Sequence, residues 1–195
     1  ARRGMRSRGE REGEFRPKLL LPFSPFGGVF RPRARRFRVL SISLPYMAVI
    51  RLTKEFSFEA AHALDGYDGP CREIHGHSYR LFVTVKGRPS ACDDDPKCGM
   101  VMDFGVLKRI VADEIVSRLD HAFVLRRGAE NDALCAALEG RFSNIVRVDY
   151  QPTCENMLED FARRIAARLP QGVALHALRL HETATSYAEW LAEDN

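Results

Sequence analysis

From Val49 to Ala60 the chain alternates between two kinds of side chain. Ile50, Leu52, Phe56, Phe58 and Ala60 interleave with Arg51, Thr53, Glu55, Ser57 and Glu59. A period of two is the mark of a strand with one buried face, so a first strand is predicted here that runs into Ala61-His62. His62 carries the parity of the apolar set. The pattern returns from His77 to Lys86, with Tyr79, Leu81, Val83 and Val85 against Ser78, Arg80 and Thr84, and with Phe82 as the exception. The intervening Asp65-Gly66-Tyr67-Asp68-Gly69-Pro70 is dense in turn formers, so the two strands are expected to pair antiparallel. The period then changes to that of a helix. Asp103 is placed to cap one whose apolar positions are Val106, Leu107, Ile110, Val111, Ile115 and Leu119, ending at Asp120-His121. Pro152-Thr153 opens a second, with Met157, Leu158, Phe161, Ile165 and Leu169 as its stripe and Pro170-Gln171-Gly172 as its stop. Val173 to Glu182 predicts a third strand with Ala174, His176, Leu178, Leu180 and Glu182 on one face, and Tyr187 to Leu191 a short fourth. Residues 122 to 151 show no sustained period and read as connecting structure. The order ββααββ suits an α+β fold with an antiparallel sheet and two helices on one face.

Composition adds an asymmetry. The 195 residues carry a net charge of +4, yet residues 1 to 46 alone hold eleven Arg and one Lys against three Glu, a balance of +9, which leaves −5 for the remainder. That basic, Pro- and Gly-containing stretch has no helix or strand period and is expected to lie outside the fold. It has the make-up of a transit peptide or a nucleic-acid arm. Met47 stands directly before the first strand and reads as a natural start, with residues 47 to 195 forming one domain. No apolar run approaches the ~18 residues of a membrane span. The five cysteines are odd in number and irregularly spaced, which points to a reducing compartment, by default the cytoplasm, and not to a disulfide framework. Cys92 and Cys98 are expected to be surface thiols and Cys135 a small buried hydrophobe.

The chemistry gathers in Cys71-Arg72-Glu73-Ile74-His75-Gly76-His77. If the second strand reaches back to His75, both imidazoles share its apolar face, and antiparallel pairing brings His62 beside them. Three imidazoles with a position left open is the arrangement of catalytic zinc. Cys71 then has two readings. As a fourth ligand it closes a structural site; left free beside the metal, it is a thiol whose anionic form the nearby charge favours, fit to act as base or nucleophile. Asp120-His121 at a helix end offers a further acid/base pair, although adjacent residues seldom face each other. Glu182 continues an apolar strand face, where a carboxylate needs partners; the adjacent N–H donors of an aminopyrimidinone ring would supply two.

These residues stand in ordered motifs. They are Phe58-Glu59-Ala60-Ala61-His62, Cys71-x3-His75-Gly76-His77, Gly99-Met100-Val101-Met102-Asp103-Phe104, Leu119-Asp120-His121, Pro152-Thr153-Cys154-Glu155-Asn156 and Glu182-Thr183-Ala184-Thr185-Ser186-Tyr187. As a set they resemble the superfamily of 6-pyruvoyltetrahydropterin and 6-carboxytetrahydropterin synthases. The three-residue gap after Cys71 is more similar to the bacterial 6-carboxytetrahydropterin synthases of queuosine biosynthesis. The resemblance implies a tunnelling fold, in which ββααββ subunits form trimeric barrels and two trimers stack into a hexamer with active sites at subunit interfaces. It implies zinc on His62, His75 and His77, catalysis by Cys71 with Asp120 and His121, and pterin binding by Glu182, Thr153 and Glu155. The implied partners are a pterin triphosphate and further copies of the chain, with neither nucleic acid nor membrane. The implied reaction is a carbon–carbon lyase step on 7,8-dihydroneopterin triphosphate. Glu73 beside the thiol, Cys154 in place of Ser, Thr or Ala, and the leader depart from the family pattern. A triphosphate-eliminating 6-pyruvoyl synthase and a non-catalytic zinc-stabilised binding module are the competing expectations.

Overall fold

The computed structural model describes residues 48–91 and 94–195; the basic leader, Met47 and Cys92 lie outside them. Strand β1 (Ile50–His62) pairs antiparallel with β2 (His75–Gly87), from Ile50 opposite Gly87 to His62 opposite His75. Helix α1 (Phe104–Val111) continues through a π-helical turn (Ala112–Val116) into α2 (Ser117–Leu119). Then come β3 (Ala122–Arg126), α3 (Ala129–Glu139), β4 (Ile145–Val148), α4 (Cys154–Ala166), β5 (Val173–His181) and β6 (Tyr187–Leu191). The sheet order is β4-β3-β1-β2-β5-β6.

The α+β class holds, but the expected all-antiparallel sheet with two helices is corrected. The sheet has six strands and is mixed, because β3 runs parallel to β1 and β4 parallel to β3. Residues 122 to 151 are therefore not mere connection but a β3-α3-β4 crossover. Its strands span five and four residues, too few to display a period. In β3, Ala122, Val124 and Leu125 are all buried, on both faces, and in β4 all four residues are half-buried, so neither strand shows an alternation. Helix α3 inserts the buried Cys135, and its Leu134 and Leu138 line cavities shared with Phe123. Arg147 of β4 ties it down through ion pairs with Asp132 and Glu139.

The main core lies on the other face, between the sheet and α1 and α4. Phe58 stacks on Tyr79 at 5.0 Å and meets the edge of Phe161 at 6.3 Å. The Asp103 carboxylate accepts the Gly105 N–H at 2.6 Å and the Thr153 hydroxyl accepts that of Asn156 at 3.4 Å, so both helices start at the capping residues expected. Leu107, Val111, Ile115 and Leu119 are all buried although spaced by four. At 3.6 residues per turn such a set drifts ~40° per step. The wider π turn takes up that drift and keeps Ile115 and Leu119 on the core.

In β5 the expected face fails before Ala177. Thr84 pairs with Ala177 but Val85 with Leu175, leaving His176 as the extra residue of a bulge. Inward parity therefore switches: Leu175, Leu178 and Leu180 are buried, whereas Ala174 is exposed and His176 half-buried, accepting from Arg51 at 2.6 Å.

Gly87 closes β2 against the turn before β5. A Cβ there would lie 2.8 Å from both the Gly172 carbonyl oxygen and Val101 Cγ1. Gly87→Ala is expected to cost about 1–3 kcal/mol by overpacking, read as a lower urea midpoint with an unchanged slope.

Candidate functional site

The β1–β2 register sets His62 opposite His75 and Ala60 opposite His77. All three imidazoles consequently lie on the core face at the end of the sheet. Their ring centroids are 4.5, 5.1 and 4.9 Å apart, and one nitrogen of each lies within 4.8 Å of the others. Gly76 allows this crowding, since a Cβ there would stand 3.2 Å from the Ala60 carbonyl oxygen on the paired strand.

The outward nitrogens are anchored by backbone. His62 Nδ1 lies 2.7 Å from the Pro152 carbonyl and His75 Nδ1 lies 2.8 Å from that of Glu73. A carbonyl only accepts, so each Nδ1 carries the proton and each neutral ring turns a lone pair inward at Nε2. His62 Nε2 and His75 Nε2 face each other at 3.1 Å, and the buried Nε2 of His77 has no hydrogen-bond partner. Two acceptors opposed at that distance beside an orphaned third make a set that fits a cation, with the backbone carbonyls as orienting partners. Burial, reinforced by the neighbouring imidazoles, holds His62 and His77 below the ordinary histidine pKa, which keeps both in the neutral, ligating form.

Glu182 reaches the same spot. Its Oε1 is 3.6 Å from His62 Nε2 and 3.7 Å from His77 Nε2, and it accepts from the Tyr79 hydroxyl at 3.4 Å. Cys71 is half-buried and unbridged, at the turn where its carbonyl accepts the Leu64 N–H. Its thiol stands outside the group of side chains whose donor atoms converge.

Asp120 and His121 do face each other, contrary to expectation, with Oδ1 and Nδ1 3.1 Å apart. His121 adopts φ 58, a left-handed conformation that turns its ring back over the preceding residue. Its N–H donates to the Glu59 carbonyl at 2.6 Å, and the Glu59 N–H donates to Asp120 Oδ1 at 3.0 Å. That bond, helped by His121, holds the Asp120 carboxyl below its usual range. His121 lines a groove of about 350 Å³ with Glu59 and Ser78, on the polar face of the sheet. Among the described residues no contact joins it to Cys71. Thr153 caps α4 beside Pro152, while Glu155 is exposed in the helix's first turn. Cys154 is buried, its thiol pushed up to about 11 by burial and donating to the Leu180 carbonyl at 3.2 Å.

Three participants escaped sequence reasoning. The carbonyls of Pro152 and Glu73 leave no side-chain signal. Tyr79 left one, a hydroxyl in an apolar row with the parity of His75 and His77.

The family profile described as 6-pyruvoyl tetrahydropterin synthase matches residues 51–193. The chain belongs to that family. It is 37% identical over 145 residues to the 6-carboxy-5,6,7,8-tetrahydropterin synthase of Haemophilus influenzae, covering 73% of this chain and 99% of that protein. It is likewise 37% identical over 140 residues to the synthase of the same name from Synechocystis, covering 71% and 91%. The structure of Caenorhabditis elegans 6-pyruvoyl tetrahydropterin synthase superposes with a TM-score of 0.55 at 20% identity, covering 75% of this chain and 98% of that one. That likeness establishes a shared fold. The chain is thus an enzyme of the pterin synthase family, and its histidine triad is compatible with a metal.

The depressed histidines fix the sign of a pH response. The unfolded chain takes up protons first, near the ordinary value of 6.5, so the metal-free fold loses stability as pH falls through and below that value. Thermal melts of chelator-treated protein are expected to drop steadily from pH 7 to 5.5, and the slope to flatten in His62→Asn.

Proposed function

We propose that the chain is a zinc-dependent 6-carboxytetrahydropterin synthase. It would convert 7,8-dihydroneopterin triphosphate to 6-carboxy-5,6,7,8-tetrahydropterin with release of acetaldehyde and triphosphate, as a step toward the 7-deazapurine of queuosine. The observation that carries this reading is the convergence of three imidazole nitrogens beside a carboxylate, on an otherwise apolar face. The 37% identity to proteins named for this activity supports the choice of product.

His62, His75 and His77 would hold the zinc, which supplies a Lewis acid for the oxygens of the substrate side chain. Glu182 binds the pterin by offering its carboxylate to two ring N–H donors, with Thr153 and Glu155 contributing from the start of α4. Cys71 takes a carbon-bound proton. Asp120 accepts from His121 Nδ1 and so presents Nε2 as the second proton carrier. Because Asp120 and His121 open onto the polar face, they serve the Cys71 of a neighbouring subunit, which the trimeric barrel and stacked hexamer of the tunnelling fold provide. No helix among the described residues is long and apolar enough to cross a membrane. The thiols agree with a cytoplasmic setting.

Incubation of the zinc-loaded chain with dihydroneopterin triphosphate tests the reading. Acetaldehyde in step with triphosphate is expected; triphosphate without acetaldehyde would transfer the chain to the 6-pyruvoyl reaction. Cys71→Ala is expected to keep its zinc and melting temperature while losing about 10²–10⁴-fold in turnover. Loss of metal from that variant would instead make Cys71 a structural ligand.

A further inference from the structure

A carboxylate beside three neutral imidazoles has two possible uses. It can serve the ligand's N–H donors, or it can join the imidazoles on their metal. Oε1 of Glu182 lies 3.6 and 3.7 Å from the Nε2 atoms of His62 and His77. Two ligands of one tetrahedral ion with bonds of about 2.1 Å are separated by about 3.4 Å. A slight rotation would therefore add Glu182 as a fourth protein ligand and close the site.

What stands against that rotation is Tyr79. Its hydroxyl donates to the same Oε1 at 3.4 Å, and a buried phenol needs such an acceptor. Its ring cannot follow the carboxylate. Tyr79 is 1% exposed, stacked on Phe58, with His77 and His62 packed against it at centroid distances of 5.6 and 6.3 Å. The backbone of Glu182 is fixed as well. Its N–H donates to the Ser186 carbonyl at 3.1 Å, and the Thr183 hydroxyl accepts from the N–H groups of Thr185 and Ser186 at 3.3 and 3.0 Å. Only the side-chain torsions of Glu182 remain free, and the Tyr79 hydroxyl decides among them.

We infer that Tyr79 is a positioning residue. Its hydroxyl holds Oε1 of Glu182 away from the histidine-bound metal and keeps the carboxylate turned to the N–H donors of the pterin ring. The inference rests on the function proposed above. Burial within an aromatic stack makes Tyr79→Phe a mild change to the fold, since it deletes one oxygen and leaves the ring in place.

The test is a double-mutant cycle on the zinc-loaded chain, with dihydroneopterin binding measured by fluorescence beside KM and kcat for the triphosphate. Tyr79→Phe is expected to raise both Kd and KM roughly tenfold, as for a lost hydrogen bond to a charged group, with kcat within about twofold. In a Glu182→Gln background the same change should alter Kd by less than about twofold, because the hydroxyl acts through the carboxylate. Unchanged Kd and KM in Tyr79→Phe, or an equal penalty in both backgrounds, would overturn the inference. Visible spectra of the cobalt-substituted chain give a readout that needs no pterin. The spectrum of Tyr79→Phe should differ from wild type, and that difference should vanish in the Glu182→Gln background; identical spectra count against the inference. A wild-type chain that neither binds nor converts the pterin sinks the functional reading, while the cobalt spectra still decide whether Tyr79 restrains Glu182.

Discussion

The antiparallel register between β1 and β2 is the constraint on which everything else in this protein hangs. It runs over thirteen residues of each strand, and it fixes at once which side chains enter the core and which histidines meet. A slip of β2 by one residue would turn Tyr79, Leu81 and Val83 to the face opposite Phe58 and part His75 and His77 from His62. The core and the candidate metal site therefore specify the same alignment. Packing of Phe58 on Tyr79 and Phe161 stabilises the fold and, a few residues along, places His62 opposite His75.

Burial at that end of the sheet does two kinds of work. It disfavours protonated imidazole, and so makes nitrogen lone pairs available over a wider pH range than in water. It also raises the stakes for each polar group left inside, so the Nδ1 atoms of His62 and His75 are committed to carbonyls while their Nε2 atoms face each other. The Asp120–His121 pair lives under opposite conditions. Open to solvent, it is organised by two backbone bonds to Glu59 and by a single left-handed residue.

Sequence reading went furthest where one physical signal ran long enough to repeat. The alternation across β1 and β2 placed His62 with His75 and His77 without any contact being visible, and the caps at Asp103 and Thr153 marked the helix starts. It failed where the signal was short or interrupted. β3 and β4 are too brief and too evenly buried to show a period, and of the apolar residues of α3 only Cys135 is buried. One additional residue at His176 reverses the parity of half of β5 and cannot be seen without its partner strand. Backbone partners such as the Pro152 carbonyl, and the φ of His121, have no expression in residue types at all.

One feature of the sheet bears on how the chain survives its own synthesis. β3 lies beside β1 only from Ala60 to His62, so from Ile50 to Phe58 β1 has a strand on one side alone among the described residues. An open strand edge is a template for any extended chain that drifts past. The charged residues Arg51, Lys54 and Glu55 along it make random pairing costly without forbidding a partner with matching charges. That edge is thus the stretch of the sheet most open to unwanted pairing while the chain is being made. Crowding during expression raises the rate of chance encounters at that edge, so the yield of intact protein depends on the concentration at which the chain folds as well as on how stably it folds.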